Sequence, residues 1–272
     1  MEKKSVDNRP IGIFDSGLGG LTVVSAFRKE MPQEDVVYLG DTARVPYGTK
    51  SVESIIRFAR QDVEFLLHQD VKMILAACNT VSAVALDVLH KEYPNVMLYG
   101  VLESGIAAAL ESAARSIVIL GTRATIASNA YGRGIHALNS SIDVQNIACP
   151  LFVSLVEEGI LSGPLVDDVL SYYLNGLKEK PPAAIVLGCT HYPLLKDAID
   201  GFFAHHVKLI DSAEAAACFM RQKIEDMGIG CAVDKTQKSQ YFVTDSPRMF
   251  HENASRFLGD SPVLVHKIEL DI

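Results

Sequence analysis

Almost unbroken apolar runs occupy residues 11–14, 36–39, 73–76, 97–99, 117–120, 184–187 and 207–210, and all but 73–76, which runs on through Ala77 to Cys78, give way at once to glycine or aspartate. Runs of this length, rich in β-branched residues and without polar alternation, predict strands buried on both faces. The longer stretches 51–68, 81–91, 104–114 and 166–177 place apolar residues at helical spacing, with Ser51 and Ser104 as expected N-caps. Strands that alternate with helices predict an α/β fold with mostly parallel sheets, because parallel neighbours need crossover connections.

A weak repeat runs through this pattern. ILAACNTVSA (74–83) and IVLGCTHYPL (185–194) each put a cysteine and a threonine just after a buried strand, and IGIFDSGLGG (11–20) is matched by IVILGTRATI (117–126) at a similar offset. Two similar α/β domains are therefore expected, 1–97 completed by 212–272 and 98–211, with the site in the cleft between them. The stretch 234–239 is expected to be a loop before a last strand and helix.

Composition narrows the function classes. The 272 residues are 49% hydrophobic and 21% charged, with a formal net charge of −8, and no long run of Lys and Arg occurs. Nucleic acid is thus not an expected partner. A polar start and the absence of a long uncharged apolar stretch predict neither export nor membrane insertion, and a cytoplasmic location is expected. Five cysteines with no Cys-x-x-Cys spacing argue against a disulfide framework, a zinc ribbon and a thiol-redox role. No metal site is expected.

Cys78 lies at a strand-to-helix turn, where backbone N–H groups favour a thiolate. By itself it reads better as a small buried hydrophobe. Cys189 occupies a similar turn two residues before His191, and there the packing and chemical readings weigh evenly. The matched pair decides between them: two cysteines at equivalent turns of facing halves suit a reaction with a base on one face of a carbon and an acid on the other. Cys149, Cys218 and Cys231 lack that context and are assigned to packing or surface. The turn Asp15-Ser16-Gly17 is either a capped tight turn or a seat for an anion. In the loop 41–48, Arg44 either pairs a substrate carboxylate or pairs internally with Asp41.

FDSGLGGLTV, GDTARVPYG, AACNTVSA, LVEEG and LGCTHYPLL occur in this order over most of the chain. Together they resemble the glutamate racemases of the aspartate/glutamate racemase family, enzymes of bacterial cell-wall (peptidoglycan) synthesis. The resemblance implies a glutamate substrate and a two-base mechanism without pyridoxal phosphate, flavin or metal, with Cys78 and Cys189 moving the proton and Cys78 taking it from the D isomer. It implies further that Asp15 supports Cys78, that Glu157 and His191 support Cys189, and that Asp15, Ser16, Tyr47, Gly48, Asn79, Thr80, Thr122, Thr125, Thr190 and His191 contact the substrate. A homodimer is among the family's modes of association. Some members carry an N-terminal extension used by a peptidoglycan-precursor activator, and activation of that kind is not expected here. Competing readings are a racemase of aspartate or another amino-acid-like acid, and a ligand-binding or inhibitory module that keeps the fold without turnover.

Overall fold

The computed structural model describes residues 6–232, 238–259 and 264–270. Ten strands are found among them: β1 (Ile11–Asp15), β2 (Val36–Gly40), β3 (Met73–Ala76), β4 (Leu98–Gly100), β5 (Ser116–Gly121), β6 (Asp143–Ala148), β7 (Ala184–Gly188), β8 (Lys208–Asp211), β9 (Ser239–Val243) and β10 (Val265–Lys267). They form two sheets, ordered β10-β9-β2-β1-β3-β4 and β6-β5-β7-β8, and every pairing within them is parallel.

The order β2-β1-β3-β4 in one sheet has the same topology as β6-β5-β7-β8 in the other. That is the structural form of the repeat in the sequence, with β1 equivalent to β5 and β3 to β7. In both, the chain leaves the central strand for one neighbour and then crosses to the other side, which opens a crevice at the carboxyl ends. Strands β1, β2, β3 and β7 are wholly buried, as their apolar runs require.

Several details differ from the expectation. Leu98–Gly100 pairs with β3, so the first lobe's sheet extends to Gly100 rather than ending at Met97. Strand β6 was not expected, because its sequence DVQNIA is polar; it is a half-exposed edge that pairs only with β5. Ser51 does cap the helix Val52–His68, accepting from Ser54 N. Ser104 does not cap. The helix Val101–Glu111 follows β4 without a loop, its first N–H is met by Ser82 Oγ at 3.2 Å, and Ser104 Oγ donates back to Val101 O. The single helix expected at 81–91 is two, Asn79–Val84 and Leu86–Glu92, joined at Ala85. The expected loop 234–239 lies mostly outside the described residues, and the strand and helix expected after it are β9 and Pro247–Leu258.

The two sheets share packing. One apolar cluster joins Ile11 and Ile13 of β1, Val118 and Leu120 of β5 and Ile185 and Leu187 of β7 through helices Leu21–Glu30, Ser212–Met227 and Pro247–Leu258. No described helix is long and apolar enough to cross a membrane.

Candidate active site

The carboxyl ends of β1, β3, β5 and β7 converge on a cavity of about 520 Å³. The first sheet supplies Ser16, Cys78, Asn79 and Thr80 to its wall, and the loop after β2 adds Tyr47 and Gly48. The second sheet supplies Thr122, Cys189, Thr190 and His191, and Glu157 enters from the helix Leu151–Glu157. The two cysteines therefore line one cavity from opposite lobes, each 5% exposed.

Cys78 is the N-cap residue of the helix Asn79–Val84, and its sulfur lies 3.8 Å from Ser16 Oγ. Burial pushes its thiol up to about 12, and the carboxylate of Asp15 adds to that. The Val81 N–H and the Ser16 hydroxyl act in the other direction but are outweighed. A helix-start N–H does favour the thiolate here, but burial outweighs it, and the buried Cys78 is a thiol.

Cys189 has a different neighbour. Its sulfur is 3.9 Å from His191 Nδ1, while His191 Nε2 meets Glu157 Oε1 at 3.1 Å. Burial alone would lower the imidazole's pKa, yet the hydrogen bonds with Cys189 and Glu157 win and raise it to about 10. The Phe257 ring stands edge-on to His191, with centroids 5.8 Å apart. A cationic imidazole beside Cys189 gives a thiolate a counter-charge that Cys78 lacks.

The sign of this shift makes a prediction. With a folded value of about 10 against 6.5 unfolded, the stability contributed by the imidazolium is complete below 6.5 and is lost as pH rises through about 10. Melting temperatures measured between about pH 6 and pH 10 should fall more steeply for the unaltered chain than for His191→Gln. Parallel slopes would show that His191 is neutral in the folded protein.

Asp15 is fully buried and lies behind the cavity wall rather than on it. Its carboxylate accepts from Gly17 N at 3.1 Å and from Thr190 Oγ1, across the lobes, at 3.5 Å. Burial raises its pKa, with partial compensation from His191 and the N–H groups of Gly20, Gly17 and Ser16. Thr80, Thr122 and Thr125 form a hydroxyl triangle across the cleft, with edges of 3.0, 3.5 and 3.0 Å. Thr80 and Thr122 face the cavity; Thr125 stands behind them and does not line it.

Two other expected ligand contacts have their side chains engaged. Asn79 Oδ1 accepts from Tyr131 OH at 2.6 Å and its Nδ2 donates to Ser212 Oγ, which donates to Leu187 O, so this amide ties Cys78's helix to the other lobe. Tyr47 lines the cavity, but its hydroxyl turns away to Asp41 and Asp62. Arg44 takes the internal option: its Nε lies 2.5 Å from Asp41 Oδ2.

Glycine is required at two close contacts between the lobes. A Cβ on Gly19 would fall 2.3 Å from Thr190 Oγ1, and one on Gly48 would fall 2.6 Å from Thr122 Cβ. Sequence reasoning missed the rim formed by Arg123, Leu151, Ser154, Tyr172 and Tyr173. Arg123 was legible as the neighbour of Thr122, whereas Tyr172 and Tyr173 read as ordinary helix positions; Tyr172 is 77% exposed. Among the described residues no three His, Cys, Asp or Glu side chains converge as a metal cage. Cys149 is buried, Cys231 partly exposed and Cys218 exposed.

The sequence profile of the Asp/Glu/Hydantoin racemase family matches residues 22–220. The chain belongs to this family. It is 42% identical to a glutamate racemase of Geobacter metallireducens over 97% of both chains. Among solved structures, the glutamate racemase of Francisella tularensis subsp. tularensis in complex with D-glutamate superposes with a TM-score of 0.91 at 39% identity, covering 98% of this chain and 99% of that one. The glutamate racemase of Thermus thermophilus in complex with β-chloro-D-alanine gives 0.86 at 40% identity, with the same coverage.

Proposed function

We propose that this chain interconverts L- and D-glutamate without a cofactor, with Cys78 and Cys189 as its two acid/base groups, and so supplies D-glutamate for peptidoglycan. The observation that carries this reading is the placement of two buried cysteines on one cavity from equivalent strand ends of a repeated unit. The relatives at about 40% identity over nearly the full chain are glutamate racemases, which favours glutamate over other acids.

From L-glutamate, the Cys189 thiolate, paired with the His191 cation, removes the α-proton: the C–H bond breaks and an S–H bond forms. The Cys78 thiol then delivers its own proton to the opposite face, leaving a thiolate at Cys78 and D-glutamate in the cleft. From D-glutamate the roles reverse. The carbanion-like transition state is held by hydroxyls and backbone N–H groups at the strand ends, which are already oriented before reaction. Exclusion of water from the cleft strengthens each of these dipoles. Both sulfurs must stay reduced, which a cytoplasmic location provides, and none of the five cysteines is in a disulfide.

The test is turnover by purified protein, with no cofactor added, followed by circular dichroism on D-glutamate and D-aspartate in parallel. Racemisation of D-glutamate at least about a hundredfold faster than that of D-aspartate is expected, since a site fitted to the longer acid leaves polar groups unpaired with the shorter one. A preference for aspartate would overturn the substrate assignment. Binding of glutamate without turnover would favour a ligand-binding module.

A further inference from the structure

The helix Val52–His68 turns Ile55, Ala59, Val63 and Leu66 inward, and on the same buried face it carries Asp62, which is 0% exposed. A carboxyl where the pattern calls for an apolar side chain is costly unless it is satisfied. Its surroundings are the loop after β2. Tyr47 Oη lies 3.1 Å from Asp62 Oδ2 and also contacts Asp41 Oδ2. Arg44 Nε is 2.5 Å from Asp41 Oδ2, and Arg44 Nη2 is 3.4 Å from Asp62 Oδ1. Asp41 Oδ1 accepts from Thr244 Oγ1 at 2.9 Å.

Proton counting decides the charges. A phenol has one proton and cannot donate to two carboxylates, and one guanidinium cannot neutralise two buried anions. Asp41 has the closer guanidinium contact and the Thr244 hydroxyl, so Asp41 is the anion and accepts the Tyr47 proton. Asp62 is then the neutral acid, and its own proton goes to the Tyr47 oxygen. Burial first, and the charge of Asp41 next, push the Asp62 carboxyl well above its ordinary range, in agreement with this count. Tyr47 continues into Gly48, whose backbone abuts Thr122 across the cleft.

We propose that Asp62, which does not line the cavity, is a positioning residue: as a neutral acid hydrogen-bonded to Tyr47, it holds the Tyr47–Gly48 segment at the cleft wall opposite Thr122. The kinetic readout rests on the racemase reading above; the stability readout does not.

The experiment compares Asp62→Asn with Asp62→Leu, each also in a Tyr47→Phe background, by kcat, KM and melting temperature. Asparagine can still donate to the Tyr47 oxygen and accept from Arg44, so Asp62→Asn should keep kcat/KM within about threefold and hold the unaltered chain's melting temperature. Asp62→Leu should lose about tenfold or more in kcat/KM, chiefly as a rise in KM, because a displaced wall misplaces the substrate. In the Tyr47→Phe background the gap between Asn and Leu should close, since the coupling runs through the hydroxyl. Equal damage from Asn and Leu, in KM or in melting temperature, would show that the charge is required and would overturn the proposal. So would a Leu loss that persists unchanged in the Tyr47→Phe background. If Asp62→Leu does not fold, Asp62→Asn against Tyr47→Phe carries the test: Asn retained with Phe raised in KM supports it, and the reverse overturns it. An inactive unaltered chain would sink the racemase reading, while the melting temperatures would still decide whether Asp62 is neutral.

Discussion

Cys78→Ser and Cys189→Ser are each expected to lower racemisation by about 10³-fold or more in both directions while leaving the fold in place. A hydroxyl is far too weak an acid to serve as the resting base, and on the proposed mechanism turnover in either direction needs one sulfur to take a proton and the other to give one. The fold should survive, because serine nearly matches cysteine in size and at position 78 would find the Ser16 hydroxyl within reach. Circular dichroism of D- and L-glutamate gives the rates, and a melting curve shows whether each variant is folded. The two losses should be similar in size, as expected for groups that act as a unit. A folded variant with near-normal turnover both ways would remove that cysteine from the chemistry.

The residues behind this prediction were legible in the sequence for a physical reason. A strand buried on both faces leaves an uninterrupted apolar run, and a turn at its carboxyl end leaves small and polar residues, so Cys78 and Cys189 stood out as a repeated pair. Information that depends on contact between lobes was not legible. The hydroxyl of Tyr47 is spent on Asp41 and Asp62, and Thr125 stands behind Thr122. Nothing in PYG or GTRAT indicates either arrangement. Asp62 lay unnoticed in an amphipathic helix because a single acidic residue at a buried position resembles noise in the pattern. Strand β6 escaped because an edge strand with polar residues follows neither period cleanly. The acceptor for the Val101 N–H is the hydroxyl of Ser82, nineteen residues earlier in the chain, and local rules cannot find a partner of that kind.

Differences in environment between the two cysteines bear on the origin of the transferred proton. Cys78 is held as a thiol by burial and by Asp15, whereas Cys189 faces a cationic His191. On the proposed mechanism, an enzyme at rest in deuterated water therefore carries a deuteron on Cys78 before L-glutamate arrives, ready for the face opposite the one that Cys189 deprotonates. Product D-glutamate should then contain deuterium at its α-carbon from the first turnovers, while unreacted L-glutamate stays largely protiated because the proton removed remains on Cys189 in the closed cleft. Starting from D-glutamate, which reacts with the form that has its proton on Cys189 and the thiolate at Cys78, the product should again gain deuterium first. A single group that removes the proton and returns it to the other face predicts the opposite, since the original proton would often reappear in product. Mass spectrometry of each enantiomer at early conversion, run from both directions, separates the two cases. Substantial retention of the original proton in early product would sink the assignment of Cys78 and Cys189 to opposite faces of the substrate.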